Sequence, residues 1–350
     1  MFAFLLSGIV LAATGHDPFS SYGDILDAAF FSNGAITQTL VAATPLAFTG
    51  LAAAAAFRTR LFNIGGEGQL YIGAITAAAA GLYLGDHGWP SVLVVLGMIL
   101  AGCAGGAAWA SIAGVLRAFL RTNEIITSLM LNYVAAYLLT YLIFNSESYF
   151  RQTEGFNAKV FPTGKPLPDS AVWPDLTLGD VVVPLGAGLA LLAAGLLWVL
   201  YSRTRFGFEA RVLGDSPRAA VYAGMRPRRK IVAVMALSGA LAGLGGASQD
   251  GDFRHTLDAD PNGLQRQYYG YTGIVVAALA RYNPFAVLLV AFLVGGLQNA
   301  GNRLQGADFP SGLVGVMQGL ILFSALGGEL LVRYRVRVSR RSPERAVEPA

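Results

Sequence analysis

Long apolar stretches separated by short polar breaks run along almost the whole chain. Apolar windows of helical length predict about ten membrane-spanning helices. These windows cover residues 2–14, 38–56, 69–85, 91–116, 125–144, 181–201, 231–249, 271–280, 284–299 and 311–332. The pattern therefore predicts an all-α polytopic membrane protein. Residues 1–332 are predicted as one transmembrane domain, and 333–350 as a basic cytoplasmic tail.

The order of the spans also indicates an internal repeat. The span that begins near Gln38 runs opposite to the span that begins near Ile231, and each opens a set of four. Two such sets predict inverted-topology repeats, an architecture common among transporters. Glycines four residues apart favour close helix packing in lipid. Such pairs occur at Gly81/Gly85, Gly102/Gly106, Gly239/Gly243 and Gly315/Gly319.

Composition supports the membrane class and excludes others. Of the 350 residues, 54% are hydrophobic and 13% are charged, with a net charge of +4. Average globular chains carry about 25% charged residues. The basic residues lie in loops without an aromatic–basic stripe, so nucleic acid is not a predicted partner. Cys103 is the one cysteine, which excludes a disulfide within the chain and predicts no metal or cofactor site.

The distribution of Lys and Arg predicts how the chain is oriented. With the N-terminus in the cytoplasm, alternation of the spans puts 19 of the 25 basic residues on the cytoplasmic side. The segment 145–180 and most acidic loop residues collect outside. Because cytoplasmic loops carry the excess of Lys and Arg, both termini are predicted to be cytoplasmic.

The longest charged interruption, residues 202–230, contains a short helix with defined ends. Ser216 can cap it, Pro217 fits its first position, and Gly224 can adopt the left-handed conformation that ends it. Its outward residues are predicted to be small, so that another protein surface can approach. The candidate residues are Ser216, Pro217, Arg218, Ala219, Ala220, Tyr222, Ala223 and Gly224, of which Ala219, Ala220, Tyr222 and Ala223 are expected to face outward. One interpretation is a basic loop that only fixes orientation; the other is a helix that docks on a soluble partner.

A glycine-rich polar stretch, residues 61–73, separates the second and third spans. Three glycines within four residues weaken a regular helix, and backbone groups freed there must be buried or must line a wet cavity. The stretch therefore predicts a broken helix near a translocation path. Its candidate residues are Asn63, Gly65, Glu67, Gly68 and Gln69. Glu67 either contacts substrate or satisfies the amides at the start of the next helix.

Aromatic residues cluster before the span at 271–280. Tyr268 and Tyr271 can present ring faces to a flat base or a sugar, since rings supply stacking area at little entropic cost. The alternative is that these tyrosines belong to an aromatic belt at the membrane interface.

Signatures of common enzymes are missing from the sequence. There is no GxxxxGK[ST] phosphate loop, no HExxH and no GxSxG. The chain is therefore predicted to be a transport subunit and not an enzyme. An ion-coupled secondary transporter would normally carry several ionisable groups deep in its spans, whereas Glu67 is the one plausible group here. No catalytic constellation supports a membrane-embedded enzyme.

Several stretches resemble the permease subunits of bacterial ABC importers in the branched-chain amino acid and ribose permease superfamily, and specifically its nucleoside-importer branch. They are ATPLAFTGL, FNIGGEGQLYIGA, LRTNEIITSLMLNYVAAYLLTYL, RTRFGFEARVLGDSPRAAVYAGM, SGALAGLGGA and GYTGIVVAALARYNPFAVLLVAFLVGGL. Together they cover nearly the whole chain, and FNIGGEGQ combined with the basic loop is specific.

The resemblance implies a subunit of the bacterial inner membrane that imports nucleosides, with a simple sugar such as ribose as the alternative. It implies three partners: a second, homologous permease, an ATP-binding subunit with tandem ATPase domains, and a lipid-anchored substrate-binding protein outside. It places residues 217–224 on the coupling helix that contacts the ATPase. It also places Asn63, Gly65, Glu67, Gly68 and Gln69 on a polar motif of the family.

Overall fold

The computed structural model describes residues 2–13, 15–154, 161–259 and 264–304, together with scattered positions between 315 and 324. Most of the predicted span 311–332 and all of the predicted tail 333–350 lie outside the described residues.

The described part of the chain is mainly helical. Its α-helices are α1 (Phe2–Ala13), α2 (Pro18–Leu26), α3 (Ala35–Phe57), α4 (Gly66–Asp86), α5 (Ser91–Val115), α6 (Glu124–Phe144), α7 (Leu185–Arg203), α8 (Arg205–Asp215), α9 (Pro217–Tyr222), α10 (Pro227–Ser248), α11 (Tyr269–Leu279) and α12 (Pro284–Leu304). Short π-helical segments follow α2, α5 and α10, at Asp27–Phe31, Leu116–Leu120 and Gln249–Arg254.

Six helices among the described residues are long and apolar enough to cross a membrane. They are α3, α5 with its π-helical extension, α6, α7, α10 with its extension, and α12. The prediction of a helical multi-pass membrane protein is therefore confirmed. The predicted spans at 2–14, 69–85 and 271–280 coincide with α1, α4 and α11, which do not meet the same criteria. The total of about ten spans stays a prediction.

A small β-hairpin corrects the all-α prediction. Strand β1 (Asp175–Leu178) pairs antiparallel with β2 (Val181–Pro184), and Gly179 supplies the left-handed turn residue between them (φ 64°). The predicted span 181–201 consequently begins as a strand, and its helix starts at Leu185. The run of β-branched valines in β2 favours a strand, which apolar-window counting cannot distinguish from the start of a helix.

Helices α3 and α10, which open the two predicted repeats, pack in a reciprocal way. Helix α10 packs against α4 and α5, whereas α3 packs against α11 and α12. Each of the two helices that open the predicted repeats therefore packs on the second and third helices of the other set. This exchange supports the inverted-repeat prediction, which remains a prediction.

Glycines bring the backbones of α5 and α10 into direct contact. A Cβ atom on Gly106 would lie 2.1 Å from the carbonyl oxygen of Gly239, and one on Gly243 would lie 2.2 Å from that of Gly102. No side chain fits at such distances. Because lipid provides little hydrophobic drive for helices to associate, close backbone packing of this kind supplies much of the attraction between them.

We expect Gly106→Ala to disrupt this contact, because the new methyl group would overlap the α10 backbone. Gly195→Ala on α7 is the matched control, since a Cβ atom there has no neighbour within 4 Å. Thermal unfolding of the purified permease in detergent should show a clear loss of stability, about 1–3 kcal/mol, for Gly106→Ala. Equal midpoints for the two variants would contradict the packing described here.

Candidate functional site

The chain leaves its helical path between α3 and α4. Arg60 adopts a left-handed conformation (φ 55°), and residues 61–64 form no regular element. Helix α4 then begins at Gly66, with Gly65 as its N-cap residue. A break is therefore present, and it covers residues 61–65, at the start of the predicted stretch 61–73.

The later glycines of that stretch lie inside α4, where they permit close packing. A Cβ atom on Gly68 would lie 2.9 Å from Cα of Asn132, and one on Gly73 would lie 2.2 Å from Cα of Gly243. Of the three glycines expected to weaken the helix, Gly66 and Gly68 therefore lie within the first turn of α4, and only Gly65 lies before it.

Asn63 and Gln69 form a buried pair across the break. The Nδ2 of Asn63 donates to Oε1 of Gln69, and Nε2 of Gln69 donates to Oδ1 of Asn63, both at 2.9 Å. Asn63 also accepts from the Gly65 amide at 2.9 Å and donates to the Ser238 hydroxyl on α10 at 2.9 Å. Ser238 in turn donates to the carbonyl of Ala52 on α3 at 2.7 Å. One side-chain pair thus joins α3, α4 and α10.

Helix α6 satisfies the backbone groups that the break exposes. The Oδ1 of Asn132 accepts from the Gly68 amide at 2.8 Å, and its Nδ2 donates to the Ile64 carbonyl at 2.9 Å. The Ser128 hydroxyl accepts from the Ile64 amide at 3.1 Å. The irregular backbone is therefore bonded to protein, as a buried break requires.

Glu67 lies in the first turn of α4, but its carboxylate caps another helix. It is 2% exposed, and Oε2 accepts from the amides of Gly270 at 2.6 Å and Tyr271 at 3.3 Å, in the first turn of α11. Its Oε1 accepts from the Tyr71 hydroxyl at 2.5 Å. Its carboxyl oxygens therefore lie at the N-terminal ends of two helices, where the helix dipoles favour negative charge. Glu67 therefore caps a helix, as one interpretation of the sequence expected, but the capped helix is α11 and not its own helix, α4. Substrate contact by Glu67 stays a prediction.

The two candidate tyrosines occupy different environments. Tyr271 is partly buried, and its hydroxyl accepts from Nδ2 of Asn132 at 3.2 Å. Tyr268 is 60% exposed in a left-handed conformation (φ 50°) just before α11. Their ring centroids are 6.4 Å apart. Only Tyr271 belongs to the hydrogen-bonded junction of the other candidate residues.

Sequence reasoning missed three members of this junction, Ser128, Asn132 and Ser238. Each is a polar residue within an otherwise apolar helix, and each is at most 3% exposed. A polar side chain inside a span needs a partner, so their positions carried a usable signal. Their partners, however, are distant in sequence and become evident only in the fold.

Two further acidic residues lie at the end of α10, in its π-helical extension, where Asp250 is buried and Asp252 is half-buried. Asp250 is fully buried, and neither of its carboxylate oxygens has a hydrogen-bond partner among the described residues. Asp252 accepts from the Gly186 amide at 2.9 Å and so caps the start of α7. From the sequence, both residues were predicted to lie in an outer loop, and Glu67 was the one ionisable group predicted to lie deep in a span. This prediction is wrong, because the π-helical extension of α10 continues through both residues.

The short helix in the basic loop is present as α9. Ser216 Oγ accepts from the Ala219 amide at 3.3 Å. At the other end Gly224 is left-handed (φ 72°), its amide donates to Val221 O, and the Met225 amide donates to Ala220 O, both at 3.0 Å. This is a Schellman motif, which fixes where the helix ends.

Of the four α9 residues predicted to face outward, three are exposed, and Val221, which was not predicted to face outward, is exposed as well. Pro217, Arg218, Ala219, Tyr222 and Ala223 are exposed, and Tyr222 reaches 93%. Ala220, predicted to face outward, is fully buried. A helix this short must pack one face against the rest of the protein, and Ala220 lies on that face.

A comparison with protein families identifies the chain. Residues 35–326 match the family described as "Branched-chain amino acid transport system / permease component". The chain belongs to this permease family. The resemblance inferred from FNIGGEGQ and the basic loop is thereby confirmed.

Three relatives of this permease align over most of its length. The glucose ABC transporter permease protein TsgB13 of Haloferax volcanii is 34% identical over 96% of this chain and 88% of its own. The nucleoside ABC transporter permease protein NupB of Lactococcus lactis is 30% identical over 92% and 87%. The guanosine ABC transporter permease protein NupP of Bacillus subtilis is 32% identical over 90% and 87%.

Replacing Glu67 tests whether its carboxylate holds the permease together. Glu67→Ala leaves the amides of Gly270 and Tyr271 without their acceptor, and each unsatisfied buried group costs about 1–3 kcal/mol. Glu67→Gln keeps a carbonyl acceptor, so we expect a smaller loss. Thermal unfolding in detergent should rank the proteins as parental, then Gln, then Ala.

Glu147→Ala is the control for this experiment, because Glu147 is exposed outside the helices. It should unfold at the parental temperature. If Glu67→Ala did the same, the carboxylate would not be needed as a helix cap.

Proposed function

We propose that this permease is the membrane-spanning subunit of an ATP-driven importer and forms half of the translocation path for nucleosides. The observation that carries the proposal is the similarity, over most of the chain, to permeases named for nucleoside and guanosine transport. The similarity to a glucose permease is at least as great, so sugar import is the second candidate function.

The proposed importer has three further components. A second, homologous permease completes the path, a subunit with tandem ATPase domains binds from the cytoplasm, and a lipid-anchored binding protein delivers substrate from outside. The absence of a phosphate loop from this sequence supports an ATPase on a separate subunit. A chain whose relatives are permease components of ABC transporters is expected to work within such an assembly.

We assign the ATPase contact to α9. Its capped ends make it rigid, and Val221 and Tyr222 present exposed apolar surface, 60% and 93% respectively. Exposed Arg226, Arg228 and Arg229 follow it directly. Aromatic and Arg side chains dominate the energetics of protein interfaces. A rigid helix with these side chains is suited to transmit force from a partner.

The orientation that this assignment requires agrees with the Lys and Arg distribution. With both termini in the cytoplasm, α9 lies in the cytoplasm and the β-hairpin lies outside. Single-side chemical labelling can therefore test the orientation and the docking role of α9 together.

Substrate class is tested by uptake into cells that express the permease with its partner subunits, compared with cells lacking the permease. Radiolabelled guanosine, uridine, ribose and glucose are the four probes. We expect ATP-dependent uptake of a nucleoside and none of the sugars. Uptake of a sugar alone would replace the nucleoside assignment, and uptake driven by an ion gradient without ATP would contradict the importer class.

Orientation and docking are tested with Tyr222→Cys and Leu178→Cys, each in a Cys103→Ala background. Both positions are well exposed, at 93% and 70%. A membrane-impermeant thiol reagent should label Leu178→Cys in intact cells and Tyr222→Cys only in inverted vesicles. A bulky label at Tyr222→Cys should weaken retention of the ATPase subunit at least tenfold, as expected for an interface anchor of about 2 kcal/mol.

The label at Leu178→Cys is the control, because the β-hairpin lies on the other side of the membrane in this proposal. Equal ATPase retention by the two labelled proteins would remove α9 from the interface. Labelling of Tyr222→Cys in intact cells would reverse the orientation.

A further inference from the structure

A cavity of about 390 Å³ lies between the first turns of α3, the last turns of α12 and the residues around the start of α11. Its size is within the range of small-molecule sites, about 300–1,000 Å³. Among the described residues, five amide side chains, two aromatic rings and two arginines line it: Gln38, Gln267, Gln298, Asn299, Asn302, Phe253, Tyr269, Arg254 and Arg303. No carboxylate is among its lining residues.

The amide side chains suit a neutral ligand rich in hydrogen-bonding groups. Each offers a carbonyl acceptor and two N–H donors without carrying charge. Asn and Gln pair in this way with the edges of nucleobases. Phe253 is 48% exposed, so its ring has a face available for stacking on a base. The set of side chains fits a planar base with an attached sugar better than a cation.

Asn299 is held in a fixed orientation. It is 5% exposed, and its Nδ2 donates to the carbonyl of Ala35 and to the Thr39 hydroxyl oxygen, each at 3.1 Å. Thr39 donates its own proton to the Ala29 carbonyl at 2.7 Å, so its oxygen is oriented as an acceptor. With Nδ2 committed, Oδ1 is the atom of Asn299 that can accept a hydrogen bond from a ligand.

Arginine at the cavity serves the structure around it. Arg303 donates from one terminal nitrogen to the Ser32 hydroxyl and from the other to the Asn33 carbonyl at 3.0 Å. These bonds tie α12 to the loop before α3. These bonds fix the orientation of the Arg303 guanidinium and leave its charge in place, and Arg254 lines the same cavity, so the lining does not suit a cation.

The cavity adjoins the junction around Glu67. Tyr269 lines the cavity and starts α11, and its carbonyl accepts from the Thr49 hydroxyl at 2.9 Å. The next amide along the chain, that of Gly270, donates to Glu67. In the proposed orientation α3 begins and α12 ends on the outer side, which is the side from which substrate arrives.

We infer that this cavity is a transit site that receives a nucleoside from the binding protein, with Phe253 stacking on the base and Gln298 and Asn299 bonding its polar edge. The inference rests on the proposed function and adds the residues of this chain that recognise the substrate. It makes Phe253 a binding residue in the translocation path.

The test is nucleoside uptake by the complete importer in proteoliposomes, at saturating ATP and at a nucleoside concentration well below saturation. Phe253→Leu removes the ring and should lower the uptake rate about tenfold, since stacking contributes about 1–3 kcal/mol per base. Phe253→Tyr retains the ring and should restore most of the rate. Phe285→Leu is the control, because Phe285 is 47% exposed at the opposite end of α12.

A parental uptake rate for Phe253→Leu would overturn the inference. If that variant does not assemble, Gln298→Cys in a Cys103→Ala background decides instead. A thiol reagent should alkylate it more slowly when loaded binding protein and nucleoside are present, and an unchanged rate would overturn the inference.

Glucose uptake measured in the same vesicles separates the two levels of the proposal. Transport of glucose without any nucleoside would remove the proposed substrate and, with it, the nucleoside site. Nucleoside transport that is insensitive to Phe253 and Gln298 would remove only the cavity from the path.

Discussion

Two helices that start close together inside an apolar protein impose the constraint on which this architecture depends. The first amides of a helix have no partner within it, and in an environment without water each unsatisfied group is costly. Helices α4 and α11 meet at their N-termini, where a Cβ atom on Gly270 would lie 2.1 Å from the Glu67 amide nitrogen. The carboxyl group of Glu67, in the first turn of α4, accepts from the Gly270 amide and so caps α11. Asn132 accepts from the Gly68 amide and so satisfies a backbone group of α4.

Close packing and polar bonding therefore depend on each other. Glycines let α4 approach α6 and α10 so closely that side chains such as Asn132 reach the irregular backbone before α4. In return, the hydrogen bonds fix the position of that backbone, which no regular helix holds. A permease needs irregular backbone near its path, and irregular backbone is tolerated at membrane depth only when it is bonded in this way or lines a water-filled cavity.

The sequence predicts single-segment features well and contacts between distant segments poorly. Hydropathy located helices at most of the predicted spans, and the Ser-Pro start and Gly stop gave the ends of α9 closely, because both signals are local. The capping of α11 by Glu67 joins residues 203 positions apart, so no local pattern could reveal it. The hairpin strand Val181–Pro184 was predicted as part of a helix because its residues are as apolar as those of the helix that follows. The burial of Ala220 depends on how α9 packs on its neighbours, which the sequence of α9 alone does not reveal.

The packing of α8 connects α9 to the break before α4. Helix α8 precedes α9 directly, and a Cβ atom on its Gly214 would lie 2.9 Å from the carbonyl oxygen of Thr59. Lys230 at the start of α10 pairs with Glu209 on α8 at 2.6 Å, in a partly buried contact that is stronger than the exposed Arg60–Asp215 pair. Thr59 stands only four residues before Asn63, so α8 packs directly on the backbone that leads to the Asn63–Gln69 pair. The docking role proposed for α9 requires contiguous packing from α9 to the break before α4, and the contact of α8 with Thr59 is part of such packing.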